Sequence, residues 1–294
     1  MKYSKLPLDI SAQLARLTSL GLQISNVAAA EHALRYIGYF RLKGYFLPFM
    51  SRVTSGSPRT FATGTTFDQV IDLYQFDRRL RVLFFDEIER LEVAIRVVIC
   101  NELSQAHGAH WYITHHRSIF KPKFQIHKFW GSVLHETTRS KDTFTTHYFN
   151  TYHEPILPPS WVMAECLTIS HWYRVYDALA QHKNAISRHF NLTADVFCSW
   201  LHVIWLLRNL CAHHGRLWNR QHSIRPMVLR THAAHFRDPS SFYSRAVIIR
   251  LLTQVVDVQS DFPARLKNLT KGRTQAEFAQ MCFPAQWQTD SLWR

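Results

Sequence analysis

The sequence is short of glycine, of acids, of paired cysteines and of long apolar runs, and each shortage excludes something. Glycine supplies 9 of 294 residues, about 3%, under half the usual ~7%. A sandwich or barrel built on many tight hairpins would need more, so an all-β fold is not expected. The five cysteines, Cys100, Cys166, Cys198, Cys211 and Cys282, are an odd, widely spaced set with no C-x-x-C pair. That excludes a dense disulfide framework and an ordinary zinc finger or ribbon. The longest apolar runs, such as Phe197 to Leu207, contain His and Ser and reach about half a membrane span. The opening stretch has no apolar core of the signal-peptide kind. These features predict a soluble protein of a reducing, cytoplasmic compartment, with no membrane partner. Acids number 21 against 35 Lys and Arg, a formal charge of +14 before any of the 18 histidines is protonated. A polyanionic partner would account for that balance, although basic proteins without one are common. Core-forming residues are plentiful, at 47% hydrophobic and 14% aromatic, which argues against disorder.

Helical punctuation recurs along the chain. Thr66-Phe67-Asp68-Gln69 reads as a capping box, followed by Val70, Leu73, Leu80, Phe84, Ile88, Leu91, Ile95 and Val98 at helical spacing. The pattern predicts a long amphipathic helix to about Gln105, with room for one break. Thr274-Gln275-Ala276-Glu277 repeats the capping box near the C-terminus. Asp238-Pro239 offers an N-cap with proline at N1, and Phe242, Val247, Leu251, Leu252 and Val255 continue as an amphipathic helix. Leu14, Leu17 and Leu20 end at Gly21, a plausible C′ glycine. Tyr36, Tyr39, Phe40 and Tyr45 are most simply core. Breaks fall at 51–65, 108–122 and 154–159, none of them long enough for a flexible linker. The expected architecture is all-α: an N-terminal helical extension over residues 1–60 and one compact helical unit over 61–294.

Half of the net charge sits in one sixth of the chain. Leu201 to Arg250 contains eight arginines, no lysine and one acid, Asp238. Arginine pairs with phosphate through two parallel hydrogen bonds and stacks on bases, which lysine does not. Trp205, Trp218, Phe236 and Tyr243 interleave with it, and aromatic faces suit single-stranded nucleic acid. Residue by residue, the simpler reading makes Arg245 and Arg250 a solvated helix face and the aromatics core.

Within this region Arg208-Asn209-Leu210-Cys211-Ala212-His213-His214-Gly215 ends a helix predicted from Thr193, with Phe197, Leu201, Ile204 and Leu207 as its apolar face. Arg-x-x-x-x-His as a bare pattern says nothing: chance supplies a match or two in so Arg- and His-rich a chain. A second match, Arg230 to His235, lies in a stretch broken by Pro226 and without apolar period, and reads as loop. Arg208 and His213 stand about 140° and 7.5 Å apart on a helix, while Asn209 and His213 share a face; Arg208 is long enough to swing toward that face, so the trio is expected to converge on one phosphate. The trio has the parts for RNA cleavage by internal transesterification. Histidine moves the proton, arginine steadies the charge on the phosphate, and the 2′-OH is the nucleophile, so no metal or cofactor is called for. The competing structural reading pairs Arg208 with a buried acid and makes His213 the cap of the helix C-terminus.

The block Arg208-Asn209-Leu210-Cys211-Ala212-His213-His214-Gly215-Arg216-Leu217-Trp218-Asn219-Arg220 resembles the signature of the Abi-like family of abortive-infection proteins, of the AbiD/AbiF type, within the HEPN superfamily. Further blocks agree in order: Tyr36-Ile37-Gly38-Tyr39-Phe40-Arg41, Phe76-Asp77-Arg78, Ile88-Glu89-Arg90-Leu91-Glu92 with Arg96, and Leu157-Pro158 with Ser160-Trp161. The likeness runs from about Lys5 to Trp287. Thr168-Ile169-Ser170-His171-Trp172 departs from it, standing where relatives often carry a glycine-containing turn.

This resemblance implies a HEPN-like helical bundle and a metal-independent endoribonuclease whose Arg208, Asn209 and His213 act across a homodimer interface. It implies anti-phage defence, with RNA as substrate and in some relatives a small non-coding RNA as partner. His214, Arg216, Trp218, Asn219 and Arg220 would hold RNA, and Glu89, Glu92 and Arg96 would support the site. Glu92 and Arg96 are also spaced for an ordinary helix-face ion pair. His110, His115 and His116 lack partners at ligand spacing, so no metal site is expected there. Two rivals stand beside the nuclease: a module of the same fold that holds a structured RNA without cutting it, and a protein-interaction scaffold.

Overall fold

Capping by local side chains decides where most of the helices begin. The computed structural model describes Lys2, residues 6–51 and residues 59–294. The stretch 52–58 of the expected break and Lys5, where the resemblance begins, lie outside them. Among the described residues there is no β-strand, only isolated bridges such as Phe120 with Leu179. The fold is all-α, as the capping signals and apolar periodicity predict. The chain divides into two compact units, residues 1–80 and 81–294.

In the first unit, α1 (Ile10–Ser19) starts under Asp9, whose side chain accepts from the Ala12 N–H, and α2 (Val27–Tyr36) starts under Asn26 in the same way. Gly21, at φ 92°, ends α1 in the left-handed conformation foreseen for it, with Leu22 N–H bonded back to Leu17 O. α3 (Tyr39–Phe46) buries Leu42, Tyr45 and Phe46. Tyr36 and Phe40 do not join the core: they are 73% and 86% exposed. At three and four residues apart, Leu42, Tyr45 and Phe46 claim the inner face and leave Phe40 on the outer one. Tyr45 Oη donates to Asp77 across 2.5 Å.

The capping box at Thr66 forms in both directions: Thr66 N–H to Gln69 Oε1 at 3.0 Å, and Gln69 N–H to Thr66 Oγ1 at 3.3 Å. It opens α4 (Phe67–His107), 41 residues without interruption, so the allowance for a break is not needed. Its predicted apolar face is buried except at Val98, whose place in the core is taken by Ile99.

The second unit contains the rest of α4 and a set of shorter helices. These are α5 (Trp111–Thr114), α6 (His116–Ile119), α7 (Ile126–Arg139), α8 (Thr143–Thr151), α9 (Ser160–Cys166), α10 (Ile169–Ala178) and α11 (Lys183–Arg188). Then come α12 (Ala194–Ala212), α13 (Phe242–Val256), α14 (Phe262–Thr270) and α15 (Gln275–Ala279). Trp111, Trp172, Trp200, Trp218 and Trp293 are fully buried in this unit. A buried aromatic removes 150–250 Å² from water, about 4–6 kcal/mol each before entropy is counted. The capping box at Thr274 also forms, through Thr274 N–H to Glu277 Oε2 at 2.9 Å and Glu277 N–H to Thr274 Oγ1 at 3.3 Å.

Around α13 the structure corrects three sequence expectations. The helix starts at Ser241, whose Oγ accepts from Ser244 N–H, rather than at Asp238. The Asp238 carboxylate is engaged in its own turn, accepting from the N–H and the hydroxyl of Ser240 at 2.9 and 2.6 Å. The helix is not amphipathic over its first part, since every residue from Ser241 to Arg250 is buried. Arg245 and Arg250 are therefore no solvated face. Arg245 donates to the carbonyls of Pro239, Ser241 and Ile224, and Arg250 Nε donates to Leu292 O at 2.9 Å. The second Arg-x-x-x-x-His match is also not plain loop: Arg230 to Phe236 forms tight 3₁₀ turns kinked at His232.

Candidate active site

The predicted helix is α12, with Thr193 at its N-cap and with Phe197, Leu201, Ile204 and Leu207 all buried. Its end is built from backbone bonds: His213 N–H to Asn209 O at 2.9 Å, His214 N–H to Cys211 O at 3.1 Å and Gly215 N–H to Leu210 O at 2.7 Å. This is a Schellman stop, whose left-handed position is usually glycine. Here His214 occupies it, at φ 57°, a conformation that costs an L-residue roughly 1–2 kcal/mol. Gly215 serves a different need. A Cβ there would stand 2.9 Å from Leu210 Cδ2 and 3.2 Å from Leu210 O.

His213 is the C-cap residue, exposed, and it lines a cleft of about 500 Å³ with Asn209, Gly215, Arg220, His222 and Arg245. The far wall of this cleft has no regular structure and is held by neighbours. Trp200 Nε1 donates to Met227 O at 2.9 Å, Met227 N–H to Ser199 Oγ at 2.8 Å and His222 N–H to Ser240 O at 3.1 Å. The buried Arg245 guanidinium anchors the same wall through Ile224 O. Burial, reinforced by Arg245 and Arg220, pushes His222 down to about 3, so its imidazole is neutral at pH 7. Its Nε2 is buried without a hydrogen-bond partner. His222 lies outside the signature block that ends at Arg220, and its place two residues beyond that arginine is the one signal for it in the sequence.

Arg208 points elsewhere. Its Nε lies 3.7 Å from Glu92 Oε2 on α4, too long for a hydrogen bond, and it does not line the cleft. Glu92 Oε1 in turn accepts the Ile169 N–H at 2.7 Å, capping α10 from a distance. This cap falls in the segment that departs from the family pattern, where Thr168 Oγ1 contacts Ser170 and His171 instead of the helix N–H groups. Both halves of the structural reading are thus present: Arg208 faces an acid and His213 caps the helix. Yet the side chains of Arg208, Asn209 and His213 make no hydrogen bond among the described residues.

The remaining candidates divide. Arg220 joins Asn209 and His213 at the cleft. Asn219, at φ 46°, donates from Nδ2 to Gln280 Oε1 at 3.0 Å. His214 is exposed and Arg216 half-buried. Trp218 is fully buried, so it is a core anchor and offers no face to a base. Phe236 and Tyr243 are buried as well, whereas Trp205 stays half-exposed. Glu89 is exposed on α4. Arg96 does not pair with Glu92; its Nη2 lies 2.6 Å from Glu165 Oε2 on α9, because Glu92 is occupied by α10. Among the described residues no three His, Cys, Asp or Glu side chains are grouped to hold a metal ion, and no helix is long and apolar enough to cross a membrane.

A family model described as Abi-like protein matches residues 32–219, a span that begins within α2, contains α3 through α12 and ends just past the Schellman stop. No curated protein and no solved structure matches the chain.

Proposed function

The chain belongs to the Abi-like family, and from that premise we propose that it is a metal-independent endoribonuclease of the HEPN type, acting in abortive infection against phage. Its substrate is RNA and its working form a homodimer in the cytoplasm. The observation that carries the reading is the state of three polar side chains at one helix end: Arg208, Asn209 and His213 make no side-chain hydrogen bond among the described residues, and Arg208 has only the 3.7 Å approach to Glu92. In one chain Arg208 and His213 diverge, as five residues of helix dictate. Two chains related by a twofold axis bring each guanidinium toward the other chain's imidazole.

In the reaction, O2′ of one nucleotide attacks the adjacent phosphorus while the P–O5′ bond breaks. A neutral His213 takes the 2′-OH proton, and the protonated His213 of the second chain gives one to O5′. The products are a 2′,3′-cyclic phosphate and a free 5′-OH. Arg208 balances charge on the non-bridging oxygens, and Glu92 keeps its guanidinium from folding away. Asn209 and Arg220 position the strand.

The test is cleavage of RNA in EDTA by wild type, Arg208→Ala and His213→Ala. Loss of either residue should lower turnover by about 10²–10⁴-fold, and a strand with 2′-deoxyribose at the scissile position should stay intact. Equal cleavage by all three proteins refutes the proposal. A non-cleaving RNA holder is the second reading, favoured by the 3.7 Å approach of Arg208 to Glu92 outside the cleft. It predicts salt-sensitive RNA binding with no products from wild type.

A further inference from the structure

A second cleft, of about 530 Å³, opens between the start of α7 and the side of α10. It is lined by Lys121, Lys123, Lys128 and Arg174, with Asp177 as its one carboxylate and the half-buried Phe124 as its apolar floor. Lys121 Nζ is tied to Asp177 O at 2.9 Å. The side chains of Lys123, Lys128 and Arg174 are exposed and have no acidic partner among the described residues. Concave, four to one in charge and three cations uncommitted, the cleft is built for anions rather than for a solvated surface.

It is also joined to the first cleft. Asp177 accepts from Cys198 Sγ at 3.4 Å, and Cys198 begins a stripe on α12 that continues through His202 and Trp205 to Asn209. Those positions follow at four, seven and eleven residues, so they lie within about 40° of one face and span about 16 Å. All four are half-exposed. Midway, three rings lie nearly parallel: Tyr173 against His202 at 4.8 Å and 14°, Tyr173 against Trp205 at 5.5 Å and 26°, and His202 against Trp205 at 5.4 Å and 24°. Flat, half-exposed π faces between two cationic hollows are what unpaired bases stack on, whereas a duplex keeps its base faces covered. Burial lowers the pKa of His202, so the stack presents a neutral surface.

We propose that this stripe is a track for single-stranded RNA. The strand's phosphates sit among Lys123, Lys128 and Arg174, its bases cross Tyr173, His202 and Trp205, and it reaches Asn209 and His213 at the other end. The proposal rests on the reading of the chain as an RNA-acting protein and gives the direction in which the strand approaches the helix end. It also separates two duties within the chain: holding, from the start of α7 across α10 and the middle of α12, and cutting, at the end of α12.

The test measures fluorescence anisotropy of a labelled oligouridylate of about twelve nucleotides, within the usual site size for such grooves. The full-length His213→Ala protein is used so that the strand stays whole. Charge reversal of the three exposed cations (Lys123→Glu, Lys128→Glu, Arg174→Glu) should weaken binding at least tenfold. It should also lower the slope of log affinity against log salt by about 2, three phosphates at roughly 0.7 each. Tyr173→Leu and Trp205→Leu should weaken binding by about fivefold or more with the slope unchanged. Far-UV dichroism and melting confirm that each variant is folded, and the surface charge variant serves if a ring variant is not. A charge-reversed protein that binds with unchanged affinity and slope overturns the track, as does equal affinity for a duplex of the same phosphate number. Failure of the nuclease reading is seen separately, as uncut RNA with the unsubstituted chain in EDTA while the track still binds. Conversely, cleavage at limiting RNA that is indifferent to charge reversal removes the track and leaves the chemistry standing.

Discussion

Glu92 is placed to hold two things at once, and removing it should reveal both. Its Oε1 accepts the Ile169 N–H at 2.7 Å, and its Oε2 faces Arg208 Nε at 3.7 Å. The first contact acts as a helix cap, and losing a cap costs about 1 kcal/mol. The second has a gross attraction of about 4 kcal/mol at an effective dielectric of ~20. The Arg208 and Glu92 side chains are 29% and 16% exposed, so desolvation cancels most of that and leaves about 1 kcal/mol. Glu92→Ala loses both contacts and should lower unfolding free energy by about 2 kcal/mol. Glu92→Gln keeps an oxygen for Ile169 and should lose about half as much. Urea denaturation of Glu92→Gln, Arg208→Met and the double variant closes a thermodynamic cycle. The expected coupling is about 1 kcal/mol, and Glu92→Gln should reduce RNA cleavage with KM little changed. A coupling below about 0.3 kcal/mol, within the scatter of independent sites, or equal damage from the Gln and Ala substitutions, refutes the bracing argument.

Two further outcomes follow from the same helix end. Because the pKa of His222 is depressed to about 3 when folded, the unfolded chain binds the extra proton below pH ~6.5, and stability falls as pH falls through that window. The contribution is at most about 1.4 kcal/mol per pH unit, and Arg220 and Arg245 are the cations that a charged His222 would face. His222→Gln should flatten the decline of urea midpoint between pH 6.5 and 5, and an unchanged decline would sink the assignment. Gly215→Ala should cost about 1–2 kcal/mol through the clash with Leu210 and should lower cleavage with it. A neutral result in denaturation would mean that Leu210 moves aside freely.

The sequence was legible where a few adjacent residues decide the outcome. The boxes at Thr66 and Thr274 and the stop at Gly21 need only neighbours three or four positions away, and all form as read. Asp238 was misread because two competing partners for one carboxylate look the same in sequence, and the hydroxyl of Ser240 wins. The arginines of α13 were misread for a deeper reason. Charge is written in the sequence but its environment is not, and the carbonyls that surround Arg245 come from residues as far away as Ile224. The site was half visible. The α12 face and its end follow from periodicity, while the opposing wall at 220–224 has no period to read. The lysines of the second cleft lie some fifty residues from Arg174 in the chain, and tertiary contacts such as the Phe120–Leu179 bridge and the Lys121 N–H bond to Ala178 O make them neighbours.

The stop at His214 makes the tract from Arg208 to His213 an angular gauge. A residue added ahead of the stop would turn the imidazole by about 100° and carry it about 1.5 Å along the axis. The bracing carboxylate on α4 would hold the guanidinium where it was. Spacing in this tract therefore sets the bearing of one functional group against the other, and a change in length there would re-aim the pair rather than merely stretch it.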